Sequence, residues 1–202
     1  MPIKALLIDV DGVLIDGRPE DGRHWQTSLE ADLGISPDAL REHLFAPHWE
    51  RIVVGQAALM PHLTDALHTI APTVSPTTLI SYWFARDARL DTSLLAELAC
   101  ARATGVQVHL ATNQEHLRAT YLMETLGLAQ QVDAIFYSAR LGAKKPEPEF
   151  FAKVQVAVGM RADELLLVDD SRPNVDAAQR AGWHALHWTP MMRPDTLRAT
   201  YR

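Results

Sequence analysis

The chain is poor in cysteine, and this scarcity limits how it can be held together. Cys100 is the only cysteine among 202 residues, so no internal disulfide can form. It lies in an apolar stretch with helical spacing, and we predict a buried thiol and a reducing compartment. No apolar run reaches the roughly 20 residues of a membrane helix. No signal-peptide pattern precedes the first apolar stretch. These absences predict a cytoplasmic protein without a membrane partner.

Positive charge is also scarce. The sequence has 19 lysines and arginines against 25 aspartates and glutamates, a net charge of -6. It therefore lacks the basic footprint of a nucleic-acid-binding protein, and we predict no nucleic-acid partner. With 48% hydrophobic and 22% charged residues the chain can bury a core and is not disordered. Its length suits one large domain or a core with a modest insertion, and either a monomer or a homodimer is compatible with it.

Five short apolar segments predict buried strands, and helical patterns that end at glycines separate the last four of them. Strands that alternate with helices are typical of a parallel sheet with right-handed crossovers. We therefore predict an α/β fold, a doubly wound parallel sheet of Rossmann-like type. The predicted strands are Ala5–Ile8, Val106–Thr112, Ala134–Ser138, Glu164–Asp170 and His184–Trp188.

The segment after the first strand interrupts this alternation. From Gly17 to Arg89 it has helical patterns and no aliphatic strand run. Ser36-Pro37 and Ser75-Pro76 have the composition of helix starts. We predict a core made of residues 1–16 and 90–202, and a small helical cap made of residues 17–89.

Polar side chains follow the predicted strands at their carboxyl ends. In an open parallel sheet, ligands bind beyond this edge. Because the strands are parallel, residues far apart in sequence meet there only if the predicted sheet forms. The residues in question are Asp9 and Asp11 after the first strand, Thr112 and Asn113 after the second, Lys144 and Lys145 after the third, and Asp169 and Asp170 after the fourth.

Four carboxylates at one edge repel one another unless a cation lies between them. Hard oxygen ligands favour Mg²⁺ over Zn²⁺, and no cluster of cysteines and histidines has metal-ligand spacing. A metal, a lysine and the Thr112 hydroxyl suit an anionic group such as phosphate. Taken singly, each residue also has a simpler explanation, since aspartates form turns and threonine and asparagine cap helices.

Four motifs together resemble those of the haloacid dehalogenase-like (HAD) hydrolase superfamily. They are DVDGVLID, ATN, the Lys-Pro step of GAKKPEPEFF, and VDDSRPNVDAAQRAG, and they occur in the family's order along the whole chain. Asp-x-Asp-Gly alone would be a weak signal, but four motifs in order, each at a strand end or helix start, are specific. The predicted helical insertion resembles the family's alpha-helical cap of the first type.

The resemblance implies a role for each aspartate of the first motif. Asp9 resembles the nucleophile that attacks phosphorus and forms an aspartyl-phosphate. Asp11 resembles the general acid that protonates the leaving alcohol and then the base that activates water. Its backbone carbonyl would also ligate Mg²⁺.

The second and third motifs imply phosphate-binding groups. Thr112 and the backbone N–H of Asn113 would hold a phosphoryl oxygen. Lys145, directly before Pro146, would neutralise the nucleophile and the phosphate, and Lys144 is the weaker alternative because the family lysine adjoins the proline.

The fourth motif implies the remaining metal ligands. Asp170 would be the main acidic Mg²⁺ ligand beside Asp9 and Asp11, and Asp169 would act directly or through water. Asn174 resembles a helper that orients the acidic loop.

We therefore expect a Mg²⁺-dependent phosphatase that acts on a small phosphorylated metabolite. A 2-haloacid dehalogenase is the weaker alternative, because a halide leaves without a proton and that branch lacks the residue equivalent to Asp11. A sugar phosphomutase would use the same residues, and a non-catalytic regulatory module of the same fold is a third alternative. Residues 17–89 contain no lysine, which argues against an enzyme that cleaves phosphonates through an imine.

Overall fold

A single parallel sheet forms the centre of the molecule. The computed structural model describes residues 2–201. Its five strands are β1 (Ala5–Ile8), β2 (Gln107–Thr112), β3 (Ala134–Tyr137), β4 (Leu165–Asp169) and β5 (His184–His187), in the order β3-β2-β1-β4-β5. All neighbouring pairs are parallel, and β1 lies between β2 and β4. The α/β prediction is confirmed, and each strand agrees with its predicted segment to within two residues at each end.

Helices connect the strands and cover both faces of the sheet, in the manner typical of parallel sheets. After β1 come five helices, α1 (Leu29–Leu33), α2 (Pro37–Leu40), α3 (Ala46–Ile52), α4 (Leu59–Ile70) and α5 (Pro76–Arg86). The remaining six are α6 (Thr92–Ala103), α7 (His116–Thr120), α8 (Ser138–Leu141), α9 (Pro148–Val158), α10 (Arg172–Arg180) and α11 (Pro194–Tyr201). Wider, π-helical turns follow α2 at Arg41–Phe45 and α7 at Tyr121–Thr125.

The two faces of the sheet carry separate apolar cores because side chains alternate along each strand. Leu6 and Ile8 of β1 pack in the core that also contains apolar residues of α6 and α11. Ala5 and Leu7 pack in the opposite core with α9 and α10. All four residues of β1 are fully buried. The sheet edge that follows β1 therefore lies at the centre of the molecule, covered from both sides.

The helical insertion has a third core of its own. Leucines and isoleucines of α1 to α5 pack together there with Trp25. The rings of Trp25 and Trp83 stack with centroids 5.0 Å apart. Helix α2 follows Ser36 and α5 follows Ser75, and the Ser75 hydroxyl accepts a hydrogen bond from the Thr78 N–H at 3.1 Å. Both predicted helix starts are therefore confirmed.

The insertion leaves and rejoins the core at one place. Ile15 forms an antiparallel bridge with Leu90. The Asp16 N–H donates to the Arg89 carbonyl at 3.0 Å, and the Asp91 N–H donates to the Leu14 carbonyl at 2.9 Å. The division into residues 1–16 with 90–202 and residues 17–89 stays a proposal that these contacts support.

One prediction about the core was wrong. Cys100 is exposed on α6, because the buried side of this helix is formed by Leu94, Leu98 and Ala101 instead. Among residues 2–201, no helix has both the length and the apolar character needed to cross a bilayer.

Candidate active site

Three adjacent strands bring the predicted site residues to one edge of the sheet. Asp9 follows β1 directly, Thr112 ends β2 and Asp169 ends β4. Because β1 pairs with both β2 and β4 in parallel, their carboxyl ends point the same way. Asp9, Thr112 and Asp169 are all buried. The local order of the chain thus places polar side chains where the apolar strands stop.

Lys145 connects two of the carboxylates. Its Nζ lies 3.0 Å from Oδ2 of Asp9 and 2.6 Å from Oδ2 of Asp169. The ammonium group is almost fully buried, as is the Asp169 carboxylate. Desolvation opposes the charge of Lys145, but Asp9 and Asp169 outweigh it and raise the pKa of the lysine. The lysine therefore stays protonated between the two acids.

Asp169 is held by several donors at once. Oδ1 accepts from the backbone N–H of Ser171 at 2.9 Å and from Nδ2 of Asn174 at 3.0 Å. Oδ2 accepts from Lys145 and, at 3.2 Å, from Asn174. Ser171 and Asn174 begin α10, so the start of this helix orients the carboxylate.

Asp9, Asp169 and Asp170 form a cluster that could hold a metal ion. Each offers a carboxylate oxygen, and these oxygens lie within 4.8 Å of one another. Unlike the other two, Asp170 is exposed. Gly12 adopts φ +78°, and a Cβ at this position would lie 2.3 Å from Oδ2 of Asp170. Only a glycine allows the first loop to approach the Asp170 carboxylate this closely.

Burial and mutual repulsion disfavour negative charge on the acids of the cluster. Burial, with added repulsion from Asp169 and Asp11, raises the pKa of Asp9 to about 7, although Lys145 opposes this change. Burial and the neighbouring Asp169 also raise the pKa of Asp170. A divalent cation bound to the carboxylates would reverse these shifts.

Asp11 lies beside this cluster and has partners of its own. Its side chain is 55% exposed. Oδ2 accepts a hydrogen bond of 2.5 Å from Nε2 of Gln114, and Oδ1 lies 4.0 Å from Nη2 of Arg118. Desolvation and the charge of Asp87 raise the pKa of Asp11, against the opposing effect of Arg118. A carboxyl group with a raised pKa is suited to carry a proton.

Arg118 joins Asp11 to the end of the helical insertion. This arginine of α7 is 1% exposed. Its guanidinium donates to the carbonyls of Phe84, at 3.2 Å, and Asp87, and lies 3.5 Å from Oδ2 of Asp87. The guanidinium carbon also lies 5.3 Å from the centroid of the Phe84 ring and 5.5 Å from that of Tyr121.

The side chain of Asn113 contacts the backbone of Lys145, whereas the prediction concerned the backbone N–H of Asn113. Its side chain exchanges two hydrogen bonds with the backbone of Lys145: Nδ2 donates to the lysine carbonyl at 2.9 Å, and Oδ1 accepts from the lysine N–H at 2.8 Å. This pairing holds the loop between α8 and α9 against the end of β2. It leaves open the predicted use of the backbone N–H of Asn113.

The two consecutive lysines have different surroundings. Lys145 is buried among the acids, whereas Lys144 extends to the insertion and pairs with Glu50 of α3. The geometry favours Lys145 over Lys144 as the lysine of the site.

Two cavities border this edge of the sheet. The larger, about 750 Å³, reaches Gly12 and Asp170 and extends along the end of β5 to Trp188 and Met192. The smaller, about 390 Å³, lies between Asp11 and the insertion residues His24, Trp25 and Trp83. Of these two cavities, only the smaller has Asp11 among its lining residues.

Three residues of this site are absent from the predictions made on sequence: Gln114, Arg118 and Asp87. Gln114 directly follows the ATN motif, so its position was a usable signal. Arg118 is a charged residue within a stretch of apolar helical spacing, which is a weaker signal. Asp87 follows α5, and its approach to Asp11 depends entirely on how the insertion folds.

A family model described as haloacid dehalogenase-like hydrolase matches residues 3–182 of the chain. Two proteins with similar sequences are phosphatases. Sesquiterpene phosphatase astK of Aspergillus oryzae is 31% identical over an alignment of 194 positions, and the alignment covers 92% of this chain and 90% of the relative. Phosphoglycolate phosphatase of Yersinia pseudotuberculosis is 27% identical over 185 residues, 89% of this chain and 78% of the relative.

Solved structures share the fold. The HAD family enzyme bt-2542 of Bacteroides thetaiotaomicron, in complex with magnesium and inorganic phosphate, superposes with a TM-score of 0.78 at 21% identity, covering 96% of this chain and 98% of that one. The L-2-haloacid dehalogenase of Xanthobacter autotrophicus superposes with a TM-score of 0.62 at 22% identity, covering 97% and 81%. The helical insertion after β1 agrees with the predicted cap of the first type.

Proposed function

Because this chain belongs to the haloacid dehalogenase-like hydrolases, whose family model covers most of its length, we propose that it is a Mg²⁺-dependent phosphatase. Its substrate is a small phosphorylated metabolite, and the reaction passes through an aspartyl-phosphate on Asp9. The observation that carries the proposal is the buried ammonium of Lys145 between Asp9 and Asp169, next to the exposed carboxylate of Asp170. This arrangement offers positive charge to a phosphoryl group beside a nucleophile.

The residues present fit a magnesium ion. The donors are carboxylate oxygens, which Mg²⁺ prefers, and Gly12 leaves room beside Asp170. Asp9, Asp170 and the backbone carbonyl of Asp11 would hold the ion. Asp169, whose oxygens already accept four hydrogen bonds, would act through water. Bound there, the ion neutralises charge on the nucleophile and on the phosphoryl oxygens. The structural relative bt-2542 binds magnesium and phosphate.

Asp9 is the nucleophile in this proposal. Its Oδ1 accepts a hydrogen bond from the Val10 N–H at 2.8 Å, and its Oδ2 faces Lys145. These two contacts hold the carboxylate while it attacks phosphorus. The hydroxyl of Thr112 and the backbone N–H of Asn113 hold a phosphoryl oxygen, and Lys145 offsets the charge that accumulates in the transition state.

Asp11 moves the proton in both steps. It protonates the leaving oxygen when Asp9 attacks, and it then removes a proton from the water that hydrolyses the aspartyl-phosphate. Gln114 and Arg118 orient the carboxylate for this work.

The contacts of Asp11 also favour a phosphatase over a dehalogenase. A halide leaves without a proton, so a dehalogenase has no use for an acid held in place by two partners. A sugar phosphomutase uses the same groups, and the product distinguishes the two enzymes. A phosphomutase yields an isomeric sugar phosphate, whereas a phosphatase releases free phosphate. The two relatives named above are, by their names, a sesquiterpene phosphatase and a phosphoglycolate phosphatase. Both support a small phosphomonoester as the substrate.

The test is phosphate release from p-nitrophenyl phosphate with Mg²⁺, followed by a screen of phosphorylated metabolites. We expect turnover that stops with EDTA and returns with Mg²⁺. Asp9→Asn should abolish it, because an amide is a poor nucleophile, and Asp176→Asn on α10 is the matched control. Full turnover by Asp9→Asn would remove Asp9 from its role. The absence of phosphate release and of Mg²⁺ binding would instead favour a regulatory module.

A further inference from the structure

The cavity of about 390 Å³ beside Asp11 indicates the chemical character of the alcohol that leaves the substrate. This inference rests on the proposed function. If Asp11 protonates the leaving oxygen, the group attached to that oxygen must lie against the Asp11 side chain. Of the two cavities at this edge, only the smaller meets that condition. Its lining therefore reports on the leaving group.

Within residues 2–201, the lining has three acids and one histidine, and neither lysine nor arginine. Asp11, Asp16 and Asp87 contribute carboxylates, and no lysine or arginine is among the lining residues in the described part of the chain. The insertion supplies no lysine from elsewhere, since residues 17–89 contain none. Asp11, as the proposed acid, carries a proton when the substrate binds, so a second negative charge would meet the carboxylates of Asp16 and Asp87, with no lysine or arginine among the described lining residues to bind it.

The acids are also not free to bind a cation. Arg118 lies behind the cavity, 4.0 Å from Asp11 and 3.5 Å from Asp87. Arg89 lies 3.9 Å from Asp16. Each arginine pairs with an acid from outside the cavity lining, so an ammonium group gains less than it would from unpaired carboxylates, while an anion still finds no lysine or arginine among the described lining residues.

The rest of the lining is apolar or uncharged. Ile15, Trp25 and Trp83 are the apolar members of the lining; Ile15 and Trp25 are almost fully buried, Trp83 is partly exposed, and the two indoles stack on each other with an interplanar angle of 19°. Nδ1 of His24 accepts a hydrogen bond from the Gln26 N–H at 3.3 Å, so this ring nitrogen carries no proton, and partial burial lowers the pKa of the imidazole. A flat or apolar group can pack against the exposed part of Trp83 through area and ring contacts, without need of charge.

We propose that this cavity receives an uncharged leaving group with an apolar or aromatic face, and that it disfavours a leaving group that carries a second negative charge. Phosphoglycolate is then a poor substrate, although the chain is similar in sequence to phosphoglycolate phosphatases.

Three matched pairs of phosphate esters test the proposal, each read as kcat/KM with Mg²⁺. Benzyl phosphate against methyl phosphate isolates the apolar face. 2-Hydroxyethyl phosphate against 2-phosphoglycolate isolates the negative charge. 3,3-Dimethylbutyl phosphate against phosphocholine isolates a positive charge at the same shape. We expect the first member of each pair to be preferred, by about fivefold or more for the charged comparisons, the value of one partly screened charge.

Asp16→Lys supplies a sharper test, because this exposed side chain borders the cavity outside the catalytic set. We expect the preference for 2-hydroxyethyl phosphate over 2-phosphoglycolate to fall by about fivefold or more. Asp38→Lys is the matched control: Asp38 lies on α2, is exposed and pairs with an arginine, Arg41, as Asp16 pairs with Arg89. Asp38→Lys should prefer 2-hydroxyethyl phosphate over 2-phosphoglycolate as strongly as the unaltered protein does.

The outcomes separate this inference from the proposed function. No hydrolysis of any ester, p-nitrophenyl phosphate included, contradicts the phosphatase itself. Hydrolysis with 2-phosphoglycolate or phosphocholine preferred over its neutral partner overturns the inference and leaves the phosphatase intact. Equal shifts in Asp16→Lys and Asp38→Lys would also overturn it, since the cavity would then have no special effect.

Discussion

The guanidinium of Arg118 lies 4.0 Å from the carboxylate of Asp11 and is itself almost completely buried. The same group donates to the carbonyls of Phe84 and Asp87 at the end of α5. One side chain of the core thus contacts both the proposed acid and the last turn of the insertion. We infer that Arg118 is a positioning residue whose contacts tie the placement of Asp11 to the placement of the cap.

Replacement of Arg118 should impair proton transfer more than attack on phosphorus. In Arg118→Met we expect kcat for methyl phosphate to fall by about tenfold more than kcat for p-nitrophenyl phosphate, because p-nitrophenolate leaves without a proton. Arg118→Lys, which keeps the charge, should recover part of the loss. Equal losses with both esters would restrict Arg118 to a role in stability. Thermal unfolding of both variants separates that effect.

Replacement of Gly12 by alanine should weaken Mg²⁺ binding. The new Cβ would lie 2.3 Å from Oδ2 of Asp170, so this carboxylate must move. Gly159→Ala is a close control: its φ of +72° matches the +78° of Gly12, but a Cβ there meets nothing within 4 Å. We expect both variants to lose about 1–2 kcal/mol of stability from the left-handed backbone, and only Gly12→Ala to need about tenfold more Mg²⁺ for half-maximal turnover. The same Mg²⁺ requirement in both would place Asp170 outside the metal site.

The two neighbouring lysines should differ sharply in their effect on turnover. In Lys145→Met the carboxylates of Asp9 and Asp169 lose their shared cation, and we expect kcat to fall by about 100-fold or more. Lys144→Met removes a surface pair with Glu50 and should leave kcat unchanged. Steady-state kinetics at saturating Mg²⁺ measures both. A larger loss in Lys144→Met would reverse the assignment.

His109 should make the protein less stable in mild acid. This buried residue of β2 has its pKa lowered by desolvation, which the nearby Asp133 only partly offsets. The unfolded chain therefore binds a proton that the folded protein resists. The contribution of His109 is complete above pH 6.5, the unfolded value, and is lost as pH falls below it.

The measurement is thermal unfolding at pH 7.5 and 5.5. His109→Phe should lose less stability over this interval than the unaltered protein, since phenylalanine does not titrate and can keep the edge contact with Phe136. His184→Phe, at an exposed position on β5, should change the loss of stability between pH 7.5 and 5.5 little. An unaltered pH dependence in His109→Phe would contradict the prediction.

Strands, helix starts and the acidic edge could be predicted because their signals are local. A run such as Ala5–Ile8 is apolar at every position and ends at a charge, so its burial and its end are both visible in the sequence. The pair Ser75-Pro76 is enough to predict a helix start. The convergence of Asp9 and Asp169 then follows from the parallel sheet alone.

The rest depended on contacts between segments far apart in sequence. Arg118 reaches Asp87 only because α5 ends against α7, and no spacing rule encodes that. The sequence favoured Lys145 over Lys144 because of the neighbouring proline. The fold gives a separate reason, since the Lys145 ammonium is buried and Lys144 pairs with Glu50. Cys100 was misplaced because α6 has apolar residues on several sides, so its periodicity did not identify the buried one.

The exposure of Cys100 has a practical consequence. A solitary surface thiol can pair with its counterpart on a second molecule when air oxidises a concentrated sample. Such a covalent dimer would be an artefact of handling, so the state of association should be measured with a reductant present. The same thiol accepts a maleimide dye at one defined point on α6, away from the acids at the sheet edge.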